Sequence, residues 1–201
     1  MPIGSEIYGC GITDCQKEES PYFYPFIWVF GENYNGYDFD FADDLGKLDK
    51  ALSADLNANN ADLSAFCGSG GKIIAYSGTA DPCVPYPDAI KYCNRVCKNL
   101  GGYERVGSFF KYFLLPGKDH GNGGKGVNAI FADENRNGLL VALRRWCEER
   151  KEPECIFAAH LDFNSENQNG SRLKKIYPYR GDRSETSDFP LSCDVKYLEK
   201  Q

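Results

Sequence analysis

Two apolar runs of strand length, each leaving its strand toward a residue that can do acid–base chemistry, constrain this chain more than any other feature. The first is Lys72-Ile73-Ile74-Ala75-Tyr76-Ser77, entered through Gly70-Gly71 and left through Gly78-Thr79-Ala80-Asp81-Pro82. The second is Phe109-Phe110-Lys111-Tyr112-Phe113-Leu114-Leu115, left through Pro116-Gly117-Lys118-Asp119-His120. Between them Pro85 and Pro87 suit the first turn of a helix, and Ala89, Ile90, Cys93, Val96, Cys97 and Leu100 recur at helical spacing. Gly101-Gly102 then supply a left-handed cap. A strand, a crossover helix and a second strand predict a parallel pair, with Asp81 and His120 emerging at one edge of the sheet, where α/β sites lie. The apolar 109–115 run alternates little, so it is expected to be covered on both faces.

Taken singly, each residue has an ordinary reading. Asp81-Pro82 begins a turn as Asp-Pro pairs often do, and His120 is a loop histidine with a satisfied hydrogen bond. Taken together, the histidine shuttles a proton while the acid fixes its tautomer and stabilises the imidazolium. Asp119 is a weaker acid candidate, because adjacent side chains on a loop diverge. His160, within Ile156-Phe157-Ala158-Ala159-His160, reads as structural.

No nucleophile accompanies the pair. Cys67-Gly68-Ser69-Gly70-Gly71 has the glycines of a nucleophile elbow, but an elbow needs a strand before the serine and a helix after it. Here a helical segment precedes and a strand follows. Ser77 sits late in a strand without the flanking glycines. Cys83 shares the acid's own loop, so a disulfide or a small buried contact is its better reading.

At 201 residues the chain is long enough for one core. A net charge of −6 and a pI near 5.0 argue against nucleic acid or an anionic membrane as partner. Phe26-Ile27-Trp28-Val29-Phe30, the longest apolar run, is strand-sized and far short of the roughly 18 residues that span a bilayer. Nine cysteines with two histidines do not make a zinc pattern, even with Cys93 and Cys97 one helical turn apart, so disulfides in an oxidising compartment are expected. No signal peptide is visible, and an exported-type composition without one predicts a missing N-terminal part.

Residues 1–45 are aromatic and turn-rich and look draped over a larger body. Residues 43–66 read as short helices broken at Asn57-Ala58-Asn59-Asn60, with Asp62 capping Leu63 to Phe66. A glycine-rich loop spans Gly121 to Gly126. Leu139, Leu140, Leu143, Trp146 and Cys147 mark a second helix that ends before Pro153. The tail from Asn164 to Gln201 is polar and proline-punctuated, as a surface wrap would be.

These residues resemble the C-terminal portion of the tannase and feruloyl esterase family of serine esterases. The resemblance rests on Gly70-Gly71-Lys72-Ile73-Ile74, Gly78-Thr79-Ala80-Asp81-Pro82 and Pro116-Gly117-Lys118-Asp119-His120. Leu56-Asn57, Asp62 to Phe66, Gly123-Gly124, Trp146-Cys147-Glu148, Pro153-Glu154-Cys155-Ile156 and Tyr177-Pro178-Tyr179 extend it over roughly residues 26–180. It implies the C-terminal part of an α/β-hydrolase fold over 46–201, parallel strands with crossover helices, preceded by the end of a lid insertion over 1–45.

It further implies Asp81 as triad acid, His120 as triad base, and hydrolysis of aromatic acyl esters, feruloyl or galloyl, through an acyl-serine. The expected partners are a small-molecule or plant-polymer ester and the missing N-terminal part of the hydrolase. The expected location is extracellular. No cofactor is expected in this chain, because the family's calcium loop would lie in the missing part of the lid. Asp38, Asp40, Asp43 and Asp44 do not match that loop and read as a solvated face. Where the family has a cysteine after the histidine, bonded to one beside the serine, this chain has Gly121, so that disulfide cannot form in the usual way; Cys83 is the residue that could compensate. The rival reading is a non-catalytic secreted module, or a pseudoenzyme, that binds carbohydrate or polyphenol through exposed aromatics. A hydrogen bond of roughly 3 Å between Asp81 and His120 separates the two, because a base and its orienting acid must touch.

Overall fold

A computed structural model describes residues 23–121, 123–162 and 172–181. The chain divides into two compact units, the first ending at Asn59 and the second beginning at Asn60.

In the first unit, α1 (Phe23–Phe30) packs on α2 (Asp44–Leu56), with a short 3-10 turn at Gly36–Asp38. The run Phe26 to Phe30 is therefore helical, not a strand. Pro25 sits in the first turn, where its missing N–H costs nothing, and Gly31 at φ +90° ends the helix. Helical spacing brings Tyr24 beside Trp28, at 5.9 Å between ring centroids, and Phe26 beside Phe30 at 5.6 Å. Phe26 is buried against Tyr34 and Phe39 as well, so the aromatic residues build a small core of their own. The aspartate cluster is only partly a solvated face. Asp38, Asp40 and Asp43 are exposed, but Asp44 is buried and accepts from Tyr34 Oη (3.0 Å), the Asp40 amide (3.0 Å) and Lys47 Nζ (2.8 Å). The Lys47 bond leads in holding its carboxyl below the usual range.

The second unit is built on β1 (Ile73–Gly78) and β2 (Phe110–Leu115), which pair in parallel from Ile73 opposite Phe110 to Gly78 opposite Leu115. The short α3 (Ser64–Gly68) precedes them, and α4 (Tyr86–Leu100) and α5 (Tyr103–Gly107) make the crossover. Pro85 caps α4, Pro87 lies in its first turn, and Gly101 at φ +89° closes it. Every residue of β2 is buried. Alternation then sends Phe110, Tyr112 and Leu114 into a cluster with Cys93, Val96, Cys97 and Leu100, while Phe113 and Leu115 enter another with Val127, Ile156, Ala158 and Ile176. Burial of this kind contributes roughly 2 kcal/mol per large side chain. β1 is less enclosed. Tyr76 is 47% exposed, and among the described residues no strand pairs with the far edge of β1.

The second cluster is closed by a sheet the sequence did not announce. β3 (Ala129–Phe131), β4 (Ile156–Ala159) and β5 (Lys174–Ile176) run antiparallel in that order, with α6 (Leu139–Glu149) between the first two. The stretch after Asn164 is thus not only a surface wrap, since Ile176 is fully buried. Tyr179 then donates its amide to the Tyr112 carbonyl at 2.7 Å, covering the second edge of β2. Ile156→Val, which removes one methylene from this cluster, is expected to cost about 1 kcal/mol, read as a lower urea midpoint at unchanged slope.

Candidate functional site

The loops that follow β1 and β2 are stitched together by their backbones. Thr79 donates its amide to the Leu115 carbonyl at 3.0 Å, and Ala80 to the Lys118 carbonyl at 3.0 Å. Gly117 donates its amide to Thr79 Oγ1 at 2.9 Å, a bond that leaves Thr79 buried. Gly78 lies so close to the second loop that a Cβ there would fall well inside contact distance of the Lys118 carbonyl oxygen. Farther along, Gly126 and Val127 return their amides to Gly117 and Pro116, each at 3.0 Å, which folds the glycine-rich stretch back on itself. His160 Nδ1 hydrogen-bonds to the Gly126 carbonyl, so this histidine braces the loop, matching its structural reading.

On this scaffold Asp81 and His120 meet. Asp81 Oδ2 lies 3.0 Å from His120 Nδ1, while Asp81 Oδ1 accepts the amides of Cys83 and Val84, each at 2.9 Å. The acid's side chain is 11% exposed and the histidine's 60%. Burial alone would raise the Asp81 carboxyl, but the Val84 amide, His120 and the Cys83 amide together hold it below the usual carboxylate range. An ionised Asp81 can only accept, so the imidazole places its proton on Nδ1 and leaves the Nε2 lone pair free. That arrangement can take up and return a proton at Nε2.

The remaining singled-out residues play other parts. The Asp119 carboxylate packs on Gly123, with Oδ1 buried and unpartnered among the described residues. Ser69 Oγ donates to the Phe66 carbonyl at the end of α3. No described serine, threonine or thiol is hydrogen-bonded to His120. Cys83 is disulfide-bonded, whereas Cys67, Cys93, Cys97, Cys147 and Cys155 are free. Burial pushes the Cys93 thiol up to about 12, so it is an inert core residue. Asp81, Cys83 and His120 do bring potential ligand atoms within 4.8 Å of one another. They fit a metal poorly, because a disulfide sulfur offers no thiolate and both Asp81 oxygens already accept hydrogen bonds.

The turn that Asp81-Pro82 signalled is present, with Asp81 Oδ1 accepting the amides two and three residues on. What the sequence missed is Lys118, which is buried on the loop that carries His120.

A parallel β–α–β unit with an acid–histidine contact at its C-terminal edge defines the class of the molecule, an α/β-hydrolase-type fold. An esterase of Aspergillus oryzae superposes with a TM-score of 0.65 at 25% identity, covering 78% of this chain and 32% of that one. The tannin acyl hydrolase of Aspergillus niger shares the fold with a TM-score of 0.55 at 20% identity, covering 77% of this chain and 29% of that one. The chain belongs to the tannase and feruloyl esterase family, whose model matches residues 29–193. Feruloyl esterase C of Talaromyces stipitatus is 32% identical over 116 residues, 54% of this chain and 22% of its own length. A probable feruloyl esterase B of Aspergillus clavatus is 28% identical over 173 residues, 79% of this chain and 32% of its own. The chain therefore spans a third or less of the length of these relatives.

Proposed function

We propose that this chain carries the acid–base half of a carboxylic ester hydrolase site, of the kind that cleaves aromatic acyl esters through an acyl-serine. The observation that carries the reading is the 3.0 Å contact between Asp81 Oδ2 and His120 Nδ1. His120 Nε2 takes the proton of a serine hydroxyl as that oxygen attacks the ester carbonyl. It then gives the proton to the departing alcohol as the ester C–O bond breaks. Water repeats the sequence on the acyl-serine, releasing the acid and restoring the hydroxyl. Asp81 stays ionised throughout and stabilises the imidazolium.

Family membership and relatives named feruloyl esterase and tannin acyl hydrolase support aromatic acyl groups as the substrate class. In this reading the serine is supplied from outside the described residues, and the far edge of β1, unpaired among those residues, predicts self-association of the chain alone. The Cys83 disulfide supports an extracellular setting. Exposed Tyr24, Trp28, Tyr37 and Phe41 favour the rival reading of a carbohydrate- or polyphenol-binding module. The rival, however, leaves the Asp81–His120 bond without a role.

A fluorophosphonate serine probe followed by intact-mass measurement tests the division of the site. The chain alone is expected to remain unlabelled. An adduct that disappears in His120→Ala would place the nucleophile within this chain and overturn the two-part reading.

A further inference from the structure

We propose that Lys118 is a positioning residue for the acid–base pair, its buried ammonium closing the turn that carries His120 and holding the imidazole against Asp81. The proposal rests on the reading of Asp81 and His120 given above. Lys118 is 5% exposed, and a lysine this enclosed needs partners for its charge. Its Nζ donates to the carbonyl of Gly121, the residue directly after His120, so side chain and backbone form a ring around Asp119 and His120. The same residue's backbone belongs to the other loop's seam, its carbonyl accepting the Ala80 amide and lying against Gly78. One residue thus ties the loop of the acid to the turn of the base.

Charge adds to geometry. Burial pushes the Lys118 ammonium below the ordinary lysine range, opposed by the Asp119 carboxylate on its own loop and the Asp81 carboxylate on the β1 loop. Those are the two charged groups that act on it. Asp81 is thus the carboxylate that acts on the Lys118 ammonium and also accepts from His120 Nδ1. Gly121, at φ +78°, has no side chain to fix it, and its carbonyl contact to Lys118 ties down the end of the turn.

The chain contains two histidines, which makes their ring nitrogens directly legible by proton–nitrogen NMR. In the unmodified chain His120 is expected to show a protected Nδ1 proton and an unprotonated Nε2. Lys118→Met keeps the bulk of the stem but removes charge and donors. It is expected to speed exchange of that Nδ1 proton with water at least roughly tenfold, the factor for losing about one hydrogen bond's worth of order. Lys118→Arg, which restores charge and donors, is expected to slow it again, with His160 unchanged in both variants. An unaltered His120 signature in Lys118→Met would reduce Lys118 to a space-filling stem and overturn the proposal.

Asp81→Asn separates the two levels of the argument. If it leaves the His120 signals unmoved, the acid–base reading itself fails; if it moves them while Lys118→Met does not, only the role of Lys118 fails. Should Lys118→Met not fold, the Lys118 ammonium of the unmodified chain decides. Slowly exchanging protons and a titration below that of the other lysines support the role, and the behaviour of an exposed lysine overturns it.

Discussion

Asp81→Asn is expected to invert the His120 imidazole rather than merely loosen it. In the native loop Asp81 Oδ1 accepts two backbone amides, from Cys83 and Val84, and Oδ2 accepts from His120 Nδ1. Asparagine has one acceptor oxygen, and the two amides hold it. The –NH2 group must then face His120, so Nδ1 becomes the acceptor and the ring proton moves to Nε2. A histidine protonated on Nε2 cannot take a proton there. In an enzyme completed by its nucleophile this predicts a fall in kcat of about 10⁴-fold, the size of effect that a tautomer reversal produces in a serine–histidine–acid site. In this chain alone the same event is visible as an exchange of the His120 ring nitrogen shifts, with secondary structure unchanged by circular dichroism. Unexchanged shifts would show that Asp81 does not set the tautomer.

The pH dependence follows from the same carboxylate. Its folded value is lowered, so its contribution to stability is fully present above the ordinary aspartate value of about 3.9 and is lost as pH falls through the folded value. The Asp81–His120 contact is therefore expected to keep its ionised acid at neutral pH and to fail only in acid. Lys118 runs in the opposite direction. Its lowered value makes the buried ammonium a cost at neutral pH that is relieved as pH rises through the folded value.

How much of this could be read beforehand depended on how firmly each segment was punctuated. β1, α4 and β2 were legible because glycines and prolines bound runs whose length and period admit one structure, and both chemical residues stand just past the strand ends. α1 was not, since five consecutive apolar residues fit a strand as well as a helix, and the aromatic partners that decide it, Tyr34 and Phe39, come later in the chain. β3 and β5 have three residues each, too few for any period to show, and β5 opens with two lysines. Its antiparallel pairing with β4, which buries Ile176, makes it a strand. The site divides in the same way. The meeting of Asp81 and His120 follows from topology, whereas the burial of Lys118 follows from the contact between two loops, which no local pattern encodes.

That contact yields the largest stability effect expected in the molecule, from the smallest substitution. Gly78→Ala places a methyl against the Lys118 carbonyl, 2.8 Å from its carbon and nearer still to its oxygen. The obstacle is backbone, so no rotamer change relieves it. The β1 end and the Pro116–His120 turn must separate, which strains three bonds at once: Thr79 to Leu115, Ala80 to Lys118, and Gly117 to Thr79 Oγ1. Overpacking and partial loss of these bonds predict a destabilisation of roughly 3 kcal/mol or more, measured by urea unfolding. Gly68→Ala is the control, because a Cβ there meets nothing within 4 Å; it is expected to change stability by less than about 1 kcal/mol. The Gly78 variant should also lose the protected Nδ1 proton of His120 while it is still folded. The seam that Gly78 permits is what sets the acid and the base at 3.0 Å from each other. A folded Gly78→Ala that kept the His120 signature would show that the pair is held by its own hydrogen bond and not by the loops beneath it.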